Sequence, residues 1–405
     1  MGNQKVVITG AGAVCALGRN CTEIWDSLSV GRSGISLLPE FPAGRIRFPH
    51  AAMVAGFPDD RVPPRLQDLT DRFAQFLLAS ADEAVTQSGI TASDPRWENA
   101  AVVTGTGIGG ESAQDECFWS MYGEGKYRVN PLIIARTMPN AGASHLSMAY
   151  GVRGQVYTVS TACSSANHAI GQAWMAIRSG LCDLALAGGS EAPITFGFLK
   201  AWEAMRVVSP DTCRPFSKNR SGLILGEGGG VLVLESETSA LARGANILAE
   251  LAGFGMSADA YHLTLPKSEG AASAMRRALH SAEMAPEDIQ YINAHGTGTA
   301  ANDPVETAAI HDVFGTHAGK LSVSSSKSMH GHVLGGAGAI EAVVTLLAIR
   351  NQVAPPTANF TEADPECDLD YVPNTPRPLQ IHSALSNSFA FGGLNAVLAF
   401  RRYGE

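Results

Sequence analysis

The chain has 405 residues, 45% of them hydrophobic and 17% charged. That composition excludes disorder and supplies two or three domains of about 150 residues, or one large duplicated unit. Lys and Arg total 29 against 38 Asp and Glu, a net charge of −9, which argues against duplex nucleic acid as a partner because such binders carry a basic excess.

Seven cysteines with no C-x-x-C pair signal neither a disulfide framework nor a thiolate zinc site. The first residues, MGNQKVVITGAG, lack the long apolar core of a secretory leader. The most apolar run, IEAVVTLLAI at 340–349, is short and carries Glu341. The expectation is a protein of a reducing cytoplasm, without membrane insertion.

In chain order, runs rich in Val, Ile and Leu predict strands at 5–10, 100–107, 155–161, 184–190, 230–235, 290–296, 321–326 and 395–400. Apolar stripes predict helices at 71–89, 165–180, 270–284 and 338–351, the first two stopping at glycines. Alternating strands and helices imply α/β layers. An internal repeat is visible. Val159-Ser160-x-x-Cys163-Ser164-x-x-x-His168 matches Val323-Ser324-x-x-Lys327-Ser328-x-x-x-His332, and Gly105-Thr106-Gly107 echoes Gly296-Thr297-Gly298. GEGGGVLVLE at 226–235 echoes FGGLNAVLAF at 391–400. Echoes in the same order predict a duplicated α/β unit, divided as 1–245 and 246–405. The first half has an extra aromatic and charged stretch, roughly 110–140, expected at a lid or a subunit contact.

Cys163 falls where a strand gives way to a helix, and a helix N-terminus lowers a thiol pKa toward neutrality. The small neighbours Ala162, Ser164 and Ser165 leave the sulfur accessible. His295 sits in a glycine-rich turn after a strand, and His332 lies in the second copy of the repeat. One thiol with two imidazoles is a reactive set. Lys327 reads as a base, an anchor or an ion pair, with Asp303 and Glu306 as candidate partners. SNSFAFGGLN at 386–395 suits a loop offering N–H groups to an oxyanion. Rival patterns are weaker. Gly105-x-Gly107-x-x-Gly110 lacks the later acidic residue of a dinucleotide site. Ser324-x-x-Lys327 has no K-T-G companion. His330-x-His332 has no third ligand at a matching spacing.

Taken together, VSTACSSANHAIG, NAHGTGT, SSSKSMHGHVLGGAGA and NSFAFGG resemble the condensing enzymes of fatty-acid and polyketide synthesis, the β-ketoacyl-[acyl-carrier-protein] synthase II type of the thiolase-like superfamily. The resemblance spans residue 5 to the final VLAFRRY. It implies an α/β, thiolase-like, duplicated αβαβα fold of five layers. It implies decarboxylative condensation of malonyl-carrier protein with an acyl group held on Cys163. His295 and His332 would serve as hydrogen-bond donors, and Lys327 would pair with Glu306. The N–H groups of Phe391 and Cys163 would form an oxyanion hole. Phe389 and Ala390 would belong to a gating loop, and Ile108 would line the acyl pocket. Arg65 and Arg206 are candidates for docking an acidic acyl carrier protein. No cofactor or metal is implied, since the acyl groups arrive on the carrier's phosphopantetheine. The partner would be a second copy or a chain-length-factor-like subunit. Ala390 and Leu394 stand where primary-metabolism members usually have Gly and Thr, and His330 where they have Thr. These departures lean toward the specialised nodulation and polyene-type ketosynthases. A thiolase of the Cys-His-Asn type, using Asn293 or Asn387, and a non-catalytic scaffold are the competing readings.

Overall fold

The computed structural model describes residues 4–38, 45–58 and 60–404. Ten strands form its main sheet. The first five are β1 (Val6–Cys15), β2 (Ala101–Gly105), β3 (Val156–Val159), β4 (Leu184–Glu191) and β5 (Gly228–Ser236). The second five are β6 (Ala249–Ala258), β7 (Tyr291–Asn293), β8 (Ser322–Ser324), β9 (Ser383–Ala390) and β10 (Leu394–Arg401). The order across the sheet is β8-β7-β9-β10-β6-β1-β5-β4-β2-β3. Read outward from the middle, each half has the same sequence of strands and the same pattern: two antiparallel pairings, then two parallel ones. Every strand of the first half has its counterpart five strands later, so the duplication expected from the three sequence echoes holds through the whole topology. The halves meet in a short antiparallel ladder, Val7 with Glu250 and Ile8 with Ala249.

The helices complete the layers. α1 (Arg72–Ser88) packs on β1, β5 and β4, and its counterpart α4 (Ser268–Ala282) packs on β6 and β10. Between the halves lie α2 (Ser165–Arg178) and α6 (Ala337–Asn351), which touch each other and strands of both halves. This gives five layers, with α1 and α4 outside. Two further helices bear on the site, α3 (Phe196–Met205) and α5 (Asn302–Phe314). Local chemistry explains the helix ends. Asp71 caps the first turn of α1 by accepting from the Phe73 N–H, and Gly89 closes it at φ 72°. The segment Leu334–Asn351 is apolar enough by length and composition to cross a membrane, yet 83% of it is buried in the molecule, as a helix sandwiched between two sheet halves must be.

The insertion at about 110–140 forms short helical pieces, Glu111–Phe118, Trp119–Gly123 and Ile133–Thr137. Phe118, Trp119, Tyr122 and Tyr127 on it are exposed.

Close packing at the middle layer depends on glycine. A Cβ at Gly105, at the end of β2, would lie 2.4 Å from the Ser165 backbone carbon at the start of α2. Gly105→Ala should therefore push α2 off β2 and cost about 2 kcal/mol or more. Chemical denaturation checks this; an unchanged midpoint would contradict it.

Candidate active site

Cys163 is presented by a strained elbow. β3 ends at Val159, and Ala162 then adopts φ 51°, a left-handed conformation costly for a residue with a Cβ. Ser165, the first residue of α2, holds the turn on both sides: its hydroxyl accepts from the Thr161 N–H at 2.8 Å and donates to the Ala162 carbonyl at 2.6 Å. The Cys163 side chain is buried, at 7% exposure. The backbone N–H groups of Phe391 and of Cys163 itself lie near enough to its sulfur to favour the thiolate. Burial pushes the thiol up to about 12, against the pull of the Lys327 charge and the two N–H groups, while the Glu191 carboxylate adds to the rise. Desolvation therefore opposes the lowering expected from the helix N-terminus.

His295 follows β7 in a turn that Gly296 (φ 37°) and Gly298 (φ 74°) make possible. Glu306 on α5 fixes this turn by accepting from the N–H groups of His295 and Gly296, both at 2.8 Å. Asn387 also donates to Glu306, at 3.2 Å. Glu306 is thus occupied with backbone, and the expected Lys327–Glu306 pair does not form. Lys327 instead pairs with Glu341 on α6, both side chains fully buried. Glu306 is turned toward the His295–Gly296 backbone, and Glu341 is the carboxylate that reaches the ammonium. The lysine ammonium also donates to His295 Nδ1 at 3.4 Å. Asp303, the other candidate partner, accepts from the Phe216 and Gly298 N–H groups.

His332 is anchored by its backbone between Ile224 and Gly226. Its Nδ1 accepts from the Leu334 N–H at 3.2 Å. Both histidines thus use Nδ1 as an acceptor, which leaves the proton of each neutral ring on Nε2. The rings stand edge to face, 5.4 Å apart. Burial, and then the Lys327 charge, hold both well below the ordinary histidine pKa. Cys163, His295, His332, Phe389, Ala390 and Phe391 line one cavity of about 240 Å³. Asn293 and Asn387, the two asparagines weighed for the Cys-His-Asn alternative, are not among its lining residues.

Phe389 and Ala390 end β9, and the chain turns through Phe391, Gly392 (φ 84°) and Gly393 (φ 67°). The Gly392 N–H donates to the Leu263 carbonyl at 2.6 Å, tying this turn to an exposed segment at the cavity mouth. Trp202 on α3 stacks on Phe391 with ring centroids 6.1 Å apart and 22° between planes, and Phe198 meets Trp202 edge-on. Sequence reasoning missed this aromatic row, as it missed Ala162, Glu341 and Glu191. Of these only Glu341 left a signal, a carboxylate inside an apolar helix. Ile108 is half-buried outside the cavity lining, its N–H directed at Glu191. Arg65 and Arg206 are exposed. Arg206 ends α3 and shares a groove with Arg47 and Lys200. His330 is buried, its Nε2 against Ser326 Oγ at 2.9 Å, and among the described residues no group of three or more His, Cys, Asp or Glu is placed to hold a metal.

Comparison with known proteins agrees with this geometry. The family model "Beta-ketoacyl synthase, N-terminal domain" matches residues 3–240, and "Beta-ketoacyl synthase, C-terminal domain" matches 248–361. Nodulation protein E of Rhizobium meliloti (strain 1021) is 46% identical over 99% of this chain and 100% of its own length. The 3-oxoacyl-[acyl-carrier-protein] synthase 2 of Synechocystis sp. is 39% identical over 99% of this chain and 98% of its own. Among solved structures, the ishigamide ketosynthase/chain length factor superposes with a TM-score of 0.94 at 36% identity, covering 99% of this chain and 100% of that one.

Two outcomes follow from the site. Lys327→Met strands a buried carboxylate and should destabilise the protein by about 3–5 kcal/mol, with Lys327→Met/Glu341→Gln recovering most of the loss; denaturation of the single and double variants measures it, and equal stabilities would contradict the pairing. Alkylation of Cys163 by iodoacetamide, followed on its own peptide, should rise about tenfold per pH unit from pH 7 to 10 as the thiolate fraction grows. A plateau by pH 8 would contradict the burial argument.

Proposed function

The chain belongs to the β-ketoacyl synthase family and is a condensing acyltransferase, and on that premise we propose how its residues divide the work. Cys163 takes an acyl group from a carrier-bound thioester: the S–acyl bond forms as the carrier's C–S bond breaks, and the thiol proton ends on the departing phosphopantetheine sulfur. The N–H groups of Phe391 and Cys163 hold the tetrahedral oxyanion, each worth roughly 3 kcal/mol. A malonyl thioester then binds with its carbonyl oxygen on Nε2 of His295 and His332. Loss of CO2 moves an electron pair onto that thioester as an enolate, which the two neutral donors stabilise. The enolate carbon attacks the acyl-cysteine, the C–S bond breaks, and one proton from solvent returns the thiol. The product is two carbons longer, and the two half-reactions make the kinetics ping-pong. The observation that carries this reading is the pair of imidazoles 5.4 Å apart in the same cavity as the Cys163 sulfur and Phe391.

Lys327 works through others. It keeps His295 neutral and oriented, and Glu341 balances its charge. Phe389 and Ala390 open and close the cavity mouth. Arg206 and Arg65 dock an acidic acyl carrier protein. The exposed aromatic residues of the insertion support a partner subunit there, either a second copy or a chain-length-factor-like chain. The higher identity to nodulation protein E than to the 3-oxoacyl synthase supports a specialised chain rather than housekeeping elongation. Seven free cysteines are in keeping with a reducing cytoplasm. No cofactor is needed for either half-reaction.

Cys163→Ala should abolish acyl-protein formation from acyl-carrier protein while leaving CO2 release from malonyl-carrier protein. His295→Ala should cut that release at least a hundredfold. Mass spectrometry of the trapped acyl-enzyme and a CO2 assay read the two. Acylation of the Cys163→Ala protein at the parent rate would overturn the assignment.

A further inference from the structure

Glu191 ends β4 with its side chain buried and its two oxygens crowded with donors. The Thr106 hydroxyl donates to Oε1, the Gly107 N–H to Oε2 at 2.6 Å, the Ile108 N–H to Oε1 at 3.3 Å and the Gly335 N–H to Oε2 at 3.0 Å. Three of these donors follow β2 in the first half of the molecule. The fourth belongs to the second half, in the tight turn Leu334–Gly336 that leads into α6. A carboxylate is well placed there, against the positive end of a helix.

That turn is the one that orients His332. Leu334, immediately before Gly335, donates its N–H to His332 Nδ1. Leu334 has φ 46°, a left-handed conformation that a leucine keeps only where surrounding contacts hold it. The contact between the halves leaves no slack: a Cβ at Gly335 would lie 2.2 Å from the Gly107 nitrogen and 2.6 Å from Glu191 Oε2. We propose that Glu191 is a positioning residue for His332. By holding the Gly335 N–H it fixes the Leu334 turn, whose N–H in turn keeps the imidazole proton on Nε2, facing the cavity. The inference rests on the reading of His332 as a donor to the malonyl thioester carbonyl. It assigns Glu191 to the decarboxylation half-reaction and not to acyl transfer.

The sulfur supplies an independent control. Glu191 lies close enough to Cys163 to disfavour the thiolate, so removing its charge should leave the thiol as reactive as before or more so, whereas general damage to the site would slow everything. In Glu191→Gln the side chain keeps its size but turns an amide nitrogen toward N–H donors. CO2 release from malonyl-carrier protein should fall at least tenfold in kcat with KM within about twofold. Acylation of Cys163 by acyl-carrier protein should stay within about threefold, and alkylation of Cys163 at pH 8 should be equal or faster. Gly335→Ala, which breaks the same contact from the other side, should give the same split and serves if the first variant does not fold. His332→Ala is the reference. If it decarboxylates at the parent rate, the functional reading fails and this inference with it. If His332→Ala is impaired, and Glu191→Gln and Gly335→Ala either retain full decarboxylation or lose both half-reactions alike, the inference alone is overturned.

Discussion

The site is organised around one buried positive charge. Lys327 has no exposure and sits between the Glu341 carboxylate and His295 Nδ1. Burial first, and then the lysine charge, disfavour an imidazolium at His295, and the ammonium, by occupying Nδ1, decides which nitrogen carries the proton. Two neutral rings with Nε2–H groups aimed into one cavity are suited to stabilising an enolate, and poorly suited to acting as resting general bases.

Assembling such a site needs both halves of a duplicated chain. The first half supplies the sulfur on a strained elbow, the second supplies the imidazoles, the lysine and the Phe391 turn. The middle layer, where α2 and α6 pack on each other and on both halves, is what brings them together. Equivalent positions have diverged: Cys163 and Lys327 both stand just beyond the third strand of their halves, one a buried thiol and the other a buried ammonium paired with a carboxylate.

Much of this was legible in sequence. Runs of Val, Ile and Leu located eight of the ten strands, and four helices fell within two residues at most ends. β9, SALSNSFA, was missed because it is polar yet fully buried; its Ser386, Asn387 and Ser388 face the core, so the hydrophobic pattern is absent. β6 was missed for a similar reason, its glycines and alanines thinning the signal. The partner of Lys327 was misassigned because the resemblance pointed to Glu306, although Glu341 is nearer in the chain, fourteen residues away. A lone carboxylate in an apolar helix had been noted but not read for what it requires, a buried cation. A helix N-terminus beside the thiol is visible in sequence, whereas the burial that opposes its effect is not.

The most direct measurement of the neutral-imidazole arrangement is nitrogen-15 NMR of histidine-labelled protein, with His295→Ala and His332→Ala spectra for assignment. Both rings should show the neutral form with the proton on Nε2 throughout pH 5.5 to 8. Imidazolium signals for either ring at pH 6, or a proton on Nδ1, would contradict the account.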